Sequence, residues 1–387
     1  MRLSDSKCLI AGTLLLAIVA LTSIAVADES GWTSFRNGPQ NLGIAHSELP
    51  DDLELVWEIA SPDGITSTPV IADGITYVGT LSGELLAIEL KTGNILWKYN
   101  TIEKKDPSDF APGFNAPLAL NKTTVFGGDD FGMFHAVDRK TGKAKWKKET
   151  EAEIAGGALI MDDKVIFGSH DNHLYCMNAE TGEQVWAAET HGPVNGTPTL
   201  GGQYTFTTGC DQPILRVFDV TTGEETHEVP IDDSLLIASA AVKDDILYFG
   251  TDGGELCALD WKNKNFLWRF TVPKRQHEMR ASPVVTDDLV IIGSRDKHLH
   301  CVDRKSGELK WSFQTRGRVD SSPVLVGNRV YFGSADKNVY AVDINNGKEV
   351  WKYYAKQSFT GSPAVGGEYL VIGADSTDGK IYCFGKK

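Results

Sequence analysis

Cysteine is scarce in this 387-residue chain: six in all, and no two of them adjacent. If Cys8 leaves with the N-terminal segment considered below, five remain, an odd number that implies no full disulfide framework. C-x-x-C-H, G-x-S-x-G, H-E-x-x-H and the phosphate-binding loop are all missing. That argues against c-type haem, a nucleophile elbow, zincin chemistry and P-loop nucleotide hydrolysis. Positive charge is also short, with 38 Lys and Arg against 52 Asp and Glu and a net charge of −14. Nucleic acid is therefore not the expected partner, because phosphate contacts need clustered cations. An acidic surface also avoids anionic membranes. Beyond residue 27 there is no apolar run long enough to span a bilayer and no helical period.

What is present begins with the N-terminus. Arg2 and Lys7 precede an uncharged apolar run from Cys8 to Ala27, which ends in the small-x-small Ala25-Val26-Ala27 before polar Asp28-Glu29-Ser30. Residues 1–27 read as a signal peptide, which predicts a periplasmic or secreted protein. Residues 28–52 form an N-terminal extension. Kept uncleaved, the apolar run would instead anchor a membrane-bound sensor ectodomain. Cys8 follows Asp5-Ser6-Lys7 and so is not in a lipoprotein cleavage box.

The dominant feature is a repeat of about 40 residues, the period of propeller-type arrays. Residues 281–315 (ASPVVTDDLVIIGSRDKHLHCVDRKSGELKWSFQT) and 321–355 (SSPVLVGNRVYFGSADKNVYAVDINNGKEVWKYYA) show it plainly, and related copies start near 67, 115, 156, 196, 238 and 361. Each copy has four short apolar or alternating segments separated by turn residues, the pattern of one four-stranded blade. The prediction is an all-β, eight-bladed β-propeller over residues 53–387. The eighth copy stops one strand short at Cys383-Phe384, and Leu53 to Ile59 (LELVWEI) resembles the missing outer strand. Pairing of the two would close the ring and leave no sheet edge open.

Tryptophans recur at a fixed place: Trp57, Trp97, Trp146, Trp186, Trp268, Trp311 and Trp351, with His227 in the fourth copy. Ten places before seven of these eight positions stands a small or β-branched residue: Ala87, Ala136, Cys176, Val217, Ala258, Cys301 or Ala341. A flat indole covering the neighbouring blade's Gly turn, its N–H on a backbone acceptor, accounts for the spacing. Ala136-Val137-Asp138-Arg139-Lys140-Thr141-Gly142 with Trp146 resembles the tryptophan-docking motif of quinoprotein (PQQ) dehydrogenases and their non-enzymatic, BamB-like relatives. The resemblance spans about residues 53 to 384. It implies the propeller directly and the function only weakly, because the motif is architectural. It further implies that an enzyme of this kind holds PQQ over the channel with a Trp floor, a vicinal disulfide, a Ca²⁺ on acidic and amide side chains, and an Asp base. The adjacent cysteines, an appended cytochrome motif and the long roofing insertions are absent here. The expectation is therefore a non-catalytic scaffold with no cofactor and no metal. A PQQ- and Ca²⁺-dependent enzyme is the alternative.

Counting three residues back from the Pro that opens each inner strand gives a ring at one end of the channel: Thr66, Phe114, Ala155, Asn195, Ile237, Arg280, Asp320 and Thr360. Arg280 and Asp320, from adjacent blades, are expected to pair. The entering loops 101–114 and 272–280 are the longest, and long loops on a rigid scaffold carry recognition. They offer Phe110 and Phe114 as apolar anchors and His277, Lys274 and Arg275 as polar contacts for a protein or peptide partner of a monomeric propeller. The two-histidine stretches His170-Asp171-Asn172-His173 and Arg295-Asp296-Lys297-His298-Leu299-His300 read as solvated turn residues. Cys176, Cys301 and Cys383 read as small buried hydrophobes. The Asp-Asp turns lack the spacing of a calcium loop.

Overall fold

The computed structural model describes residues 31–102, 106, 110–209, 213–231, 234–273 and 276–386. The segment 1–27 read as a signal peptide, Cys210, Lys274 and Arg275 lie outside these. Every regular element among the described residues is a strand, 32 in all, arranged as eight four-stranded antiparallel sheets. β-branched and aromatic runs form the second strand of each blade: Leu289–Ser294 (LVIIGS), for example, is buried apart from its first residue. A buried run of this kind faces neighbouring blades on both sides.

Seven sheets take four consecutive strands. The eighth takes Ala364–Gly366, Tyr369–Gly373 and Lys380–Gly385, and borrows Glu54–Ala60 as its outer strand. The register runs Glu54↔Gly385, Trp57↔Cys383 and Ala60↔Lys380. The two ends of the repeat array are thus stapled in the blade the sequence left incomplete.

Each pair of third and fourth strands carries one register shift, next to the residue opposite the Trp position, as between Cys301 and Val302 and between Ala341 and Val342. A bulge there re-aims the outer side chain. The indole N–H of Trp57 donates to the Leu90 carbonyl at 2.7 Å, that of Trp311 to Ile344 at 2.8 Å and that of Trp351 to Leu53 at 3.0 Å. Gly347, at φ +68, would place a Cβ 2.6 Å from the Trp311 ring, so only glycine fits beneath that indole.

The extension was expected only as a lead-in, and here the structure adds an element the sequence did not announce. Residues 32–45 run along the inside of the ring. Trp32 exchanges backbone bonds with Ile71, and the carbonyls of Thr33, Pro39, Gln40, Leu42 and Gly43 accept from Leu120, Leu200, Val242, Val285 and Leu325. Six of the eight inner strands are touched this way. The strap leaves the wall at the third blade in a tight turn, with Asn37 N donating to Ser34 O and Arg36, Asn37 and Gly38 all at positive φ. From that turn Arg36 donates to the carbonyls of Pro283 and Pro323, on blades six and seven. Arg36 is 1% exposed, and burial lowers its pKa to about 9. The central channel is therefore blocked just inside the mouth.

The buried cysteines match the sequence reading. Cys176, Cys301 and Cys383 are fully buried, and burial pushes the Cys176 and Cys301 thiols up to about 12.

Candidate functional site

One backbone bond recurs around one end of the ring and builds its mouth. A residue one or two places past the second strand donates its N–H to the loop entering that blade: Asp130 to Gly113, His170 to Glu153, Asp252 to Leu235, Arg295 to Glu278, Ala335 to Arg318 and Asp375 to Ser358. This tie brings side chains from two loops per blade to one level. The count from proline found only one of them.

The mouth divides by charge. On blades one to four a polar line runs from Thr66 Oγ1, which donates to Asn115 Oδ1 at 2.8 Å, through Asn115 Nδ2 to Glu153 Oε1 at 3.4 Å. Glu153 Oε2 is 3.7 Å from His170 Nδ1, and His170 Nε2 is 2.7 Å from Asn195 Oδ1. The Asn195 amide nitrogen is buried without a protein partner. Beside this line, Asp130 accepts from the Gly113 N–H, but burial and the charges of Glu153 and Asp129 outweigh that bond and push its pKa up to about 6.

On blades six and seven the sign reverses. Arg295 grips Asp320 through Nε and Nη2 at 2.9 and 3.1 Å and reaches Glu278 through Nη1 at 2.8 Å. Arg318 also holds Asp320, at 2.7 Å, and Arg280 holds Glu278. Three guanidiniums share two carboxylates, which leaves one net positive charge.

Three expectations are corrected. Arg280 does not pair with Asp320. Its partner is Glu278, and Asp320 belongs to Arg295 and Arg318. Phe114 is no surface anchor: it is fully buried, its ring 5.3 Å from that of His135 and its Cβ 2.5 Å from where a side chain on Gly79 would begin. The second histidine stretch is not solvated either, since Asp296 and His300 are buried and bonded to each other at 3.1 Å.

Other predicted residues do stand at the mouth. Phe110 is 69% exposed and pairs with Phe131, 65% exposed, at a ring separation of 5.7 Å. Phe131 was missed, although it follows Asp130 directly in the loop. His277 is exposed and Thr360 half-buried. Asn195 and Thr66 belong to the polar line.

The donor set does not make the cage that PQQ with Ca²⁺ would require. Among the described residues no three His, Cys, Asp or Glu ligand atoms converge at the mouth. Its cations are already engaged with carboxylates, and His170 intervenes between the oxygens of Glu153 and Asn195.

The comparisons agree with this architecture. A quinohemoprotein alcohol dehydrogenase of Comamonas testosteroni is 33% identical over 157 residues, which is 35% of this chain and 21% of that one. The outer membrane protein assembly factor BamB of Burkholderia pseudomallei is 25% identical over 221 residues, 55% of each chain. The chain thus spans between a fifth and about half the length of these relatives. In structure, BamB from Moraxella catarrhalis matches with a TM-score of 0.69 at 21% identity, over 87% of this chain and 98% of that one. The Comamonas testosteroni dehydrogenase matches with a TM-score of 0.79 at 16% identity, over 93% and 82%. The family model described as outer membrane protein assembly factor BamB matches residues 50–127, 104–186, 130–282 and 266–385. With nearly the whole propeller so matched, the chain belongs to this PQQ-type β-propeller repeat family.

Proposed function

We propose that this chain is an exported, non-catalytic scaffold that takes a protein or peptide partner at the channel mouth. The observation that carries the reading is a charge-divided cup above a blocked channel. Glu153 and Asp130 lie on one side, and the Arg280, Arg295 and Arg318 cluster on the other. The strap with buried Arg36 fills the axis behind them. A blind cup of this kind suits the end or loop of another chain that carries both signs of charge. The exposed Phe110–Phe131 pair adds apolar area at its rim. Membership of a family described by outer-membrane protein assembly supports a protein partner. Export rests on residues 1–27 and agrees with that family.

A quinoprotein-like enzyme is the second reading, favoured by the 33% match to a dehydrogenase. The donor set at the mouth weighs against it.

Photo-crosslinking in the exporting compartment tests the choice. A photoreactive side chain at position 131 is expected to give a discrete protein adduct that weakens in Arg295→Ala. The same group at Lys91, on the opposite face, is expected to give none. Absence of any adduct, together with saturable calorimetric binding of PQQ in the presence of Ca²⁺, would overturn the scaffold and promote the enzyme.

A further inference from the structure

Outside the mouth, one cluster has no role in the proposed function. Asp296, His298 and His300 each bring a ligand atom to one place: the three atoms lie within 4.8 Å of one another. It is the only such group of three among the described residues. Side-chain exposures are 1% for Asp296, 12% for His298 and 3% for His300.

The local structure explains the convergence. His298 and His300 are alternate residues of the strand His298–Asp303 and so share a face; their rings stack at 18° with centroids 5.5 Å apart. Asp296 sits in the middle of the preceding turn, Arg295 to Lys297, and its carboxylate reaches both rings. Its Oδ2 is 3.1 Å from His300 Nε2, and its Oδ1 is 3.4 Å from His298 Nδ1. Ligands about 2.1 Å from a tetrahedral ion stand about 3.4 Å from one another; the Asp296 Oδ2–His300 Nε2 spacing is already near that, and the third ligand atom lies within 4.8 Å of both. His298 Nδ1 also lies 3.0 Å from the Asp296 carbonyl, a hydrogen bond that an ion at that nitrogen would replace.

Two further features suit a metal. Ser312 Oγ, on the neighbouring strand, is 2.8 Å from His300 Nδ1 and orients the ring with Nε2 toward Asp296. Such a partner on the far nitrogen is what metal-bound imidazoles use. On its other side the His300 ring meets Phe270 at 5.7 Å, an apolar wall.

The repeat itself provides the internal comparison. Blades three and seven hold the same turn with a tyrosine: Tyr175 donates to Asp171 Oδ2 and Tyr340 to Asp336 Oδ2, each at 2.8 Å. A phenol is enough to brace the turn, so the fold does not require histidine at position 300. Blade six alone joins an imidazole there to a second one at 298.

We propose that Asp296, His298 and His300 form a site for a divalent transition-metal ion of the zinc class, bound by two imidazoles and one carboxylate. Three protein ligands leave a fourth position to water. The ion would stand one residue from Arg295 and so stiffen the loop that carries the cationic side of the mouth.

The test uses the mature chain, free of any histidine tag and stripped with a chelator. Titration with Zn²⁺ is expected to show one saturable equivalent, and Co²⁺ is expected to give visible d–d bands. His300→Tyr rebuilds the brace of blades three and seven, so it should keep its urea midpoint while losing metal affinity by at least about 100-fold. His298→Ala should lose it similarly, and His173→Ala, in the equivalent stretch of blade three, should not. Absence of saturable one-to-one binding below about 100 µM, or equal binding in folded His300→Tyr, would overturn the proposal.

Discussion

The imidazole of His227 lies flat on the indole of Trp261, with ring centroids 5.6 Å apart and planes 12° from parallel. Elsewhere an indole on one blade's outer strand covers the next blade's turn. Between blades four and five the bulk is transferred: blade four offers the smaller ring, and blade five supplies the indole from the turn itself. Trp261 is 1% exposed and meets Tyr204 and Phe206 edge-on at 5.3 and 5.0 Å. Lys264, at φ 55, holds the left-handed place that glycine holds in other blades.

Trp261→Ala should therefore destabilise the protein as much as Trp311→Ala does, each by about 3–5 kcal/mol. His227→Ala should cost about 1 kcal/mol, the worth of one ring pair. Urea unfolding measures all three. A loss below about 1 kcal/mol in Trp261→Ala would show that the indole does not bear on the junction.

Asp130 should make stability fall as pH rises through the acid range. Its folded pKa, about 6, lies above the unfolded value because of burial, Glu153 and Asp129. Below the unfolded pKa, both states carry the proton and the penalty is absent. Between that value and about 6 the native state binds the extra proton, so stability is lost as pH climbs through this window. Asp130→Asn should gain about 1 kcal/mol at pH 7, after discounting for partial exposure, and nothing at pH 3. An equal effect at both pH values would place the cause elsewhere than in the charge.

Arg36 separates charge from bulk. Arg36→Met keeps the volume and removes a buried charge held by the carbonyls of Pro283 and Pro323; its stability should stay within about 1 kcal/mol of the parent. Arg36→Ala empties the axis and should cost about 2–4 kcal/mol. Equal urea midpoints for Arg36→Ala and the parent would mean that the strap is not held through this residue.

Export predicts that the mature chain begins at Asp28. N-terminal sequencing of the periplasmic or secreted protein checks it, and an intact Met1 in the membrane fraction would favour the anchored sensor.

The blades, their number and the closing strand were legible because they rest on short-range signals at fixed spacing: the proline, the Gly turn and the Trp. The mouth was only half legible. Counting from proline finds the level of a residue along the axis but not its partner. Arg295, which takes Asp320 from Arg280, comes from a different loop and arrives by a tertiary backbone bond. Phe114 looked like an anchor because glycines 35 residues before it and 13 after it, Gly79 and Gly127, hollow out the place it fills. The strap left no trace, since it binds the inner strands mainly through its backbone and has no period. The histidine cluster was visible as a pair, but the carboxylate that joins it depends on how the turn folds back.

The borrowed outer strand of the eighth blade has a consequence for the order of folding. Glu54–Ala60 is synthesised first among the blade strands, and its partner Lys380–Gly385 last. Neither it nor the strap that precedes it can find its full set of partners until the intervening blades exist. Blades one to seven can each form locally as the chain emerges. Sealing the ring must wait for contacts more than three hundred residues apart and is expected to be the slow final step. Until then the open ring presents two unpaired strand edges, the interval in which the nascent protein is most exposed to aggregation.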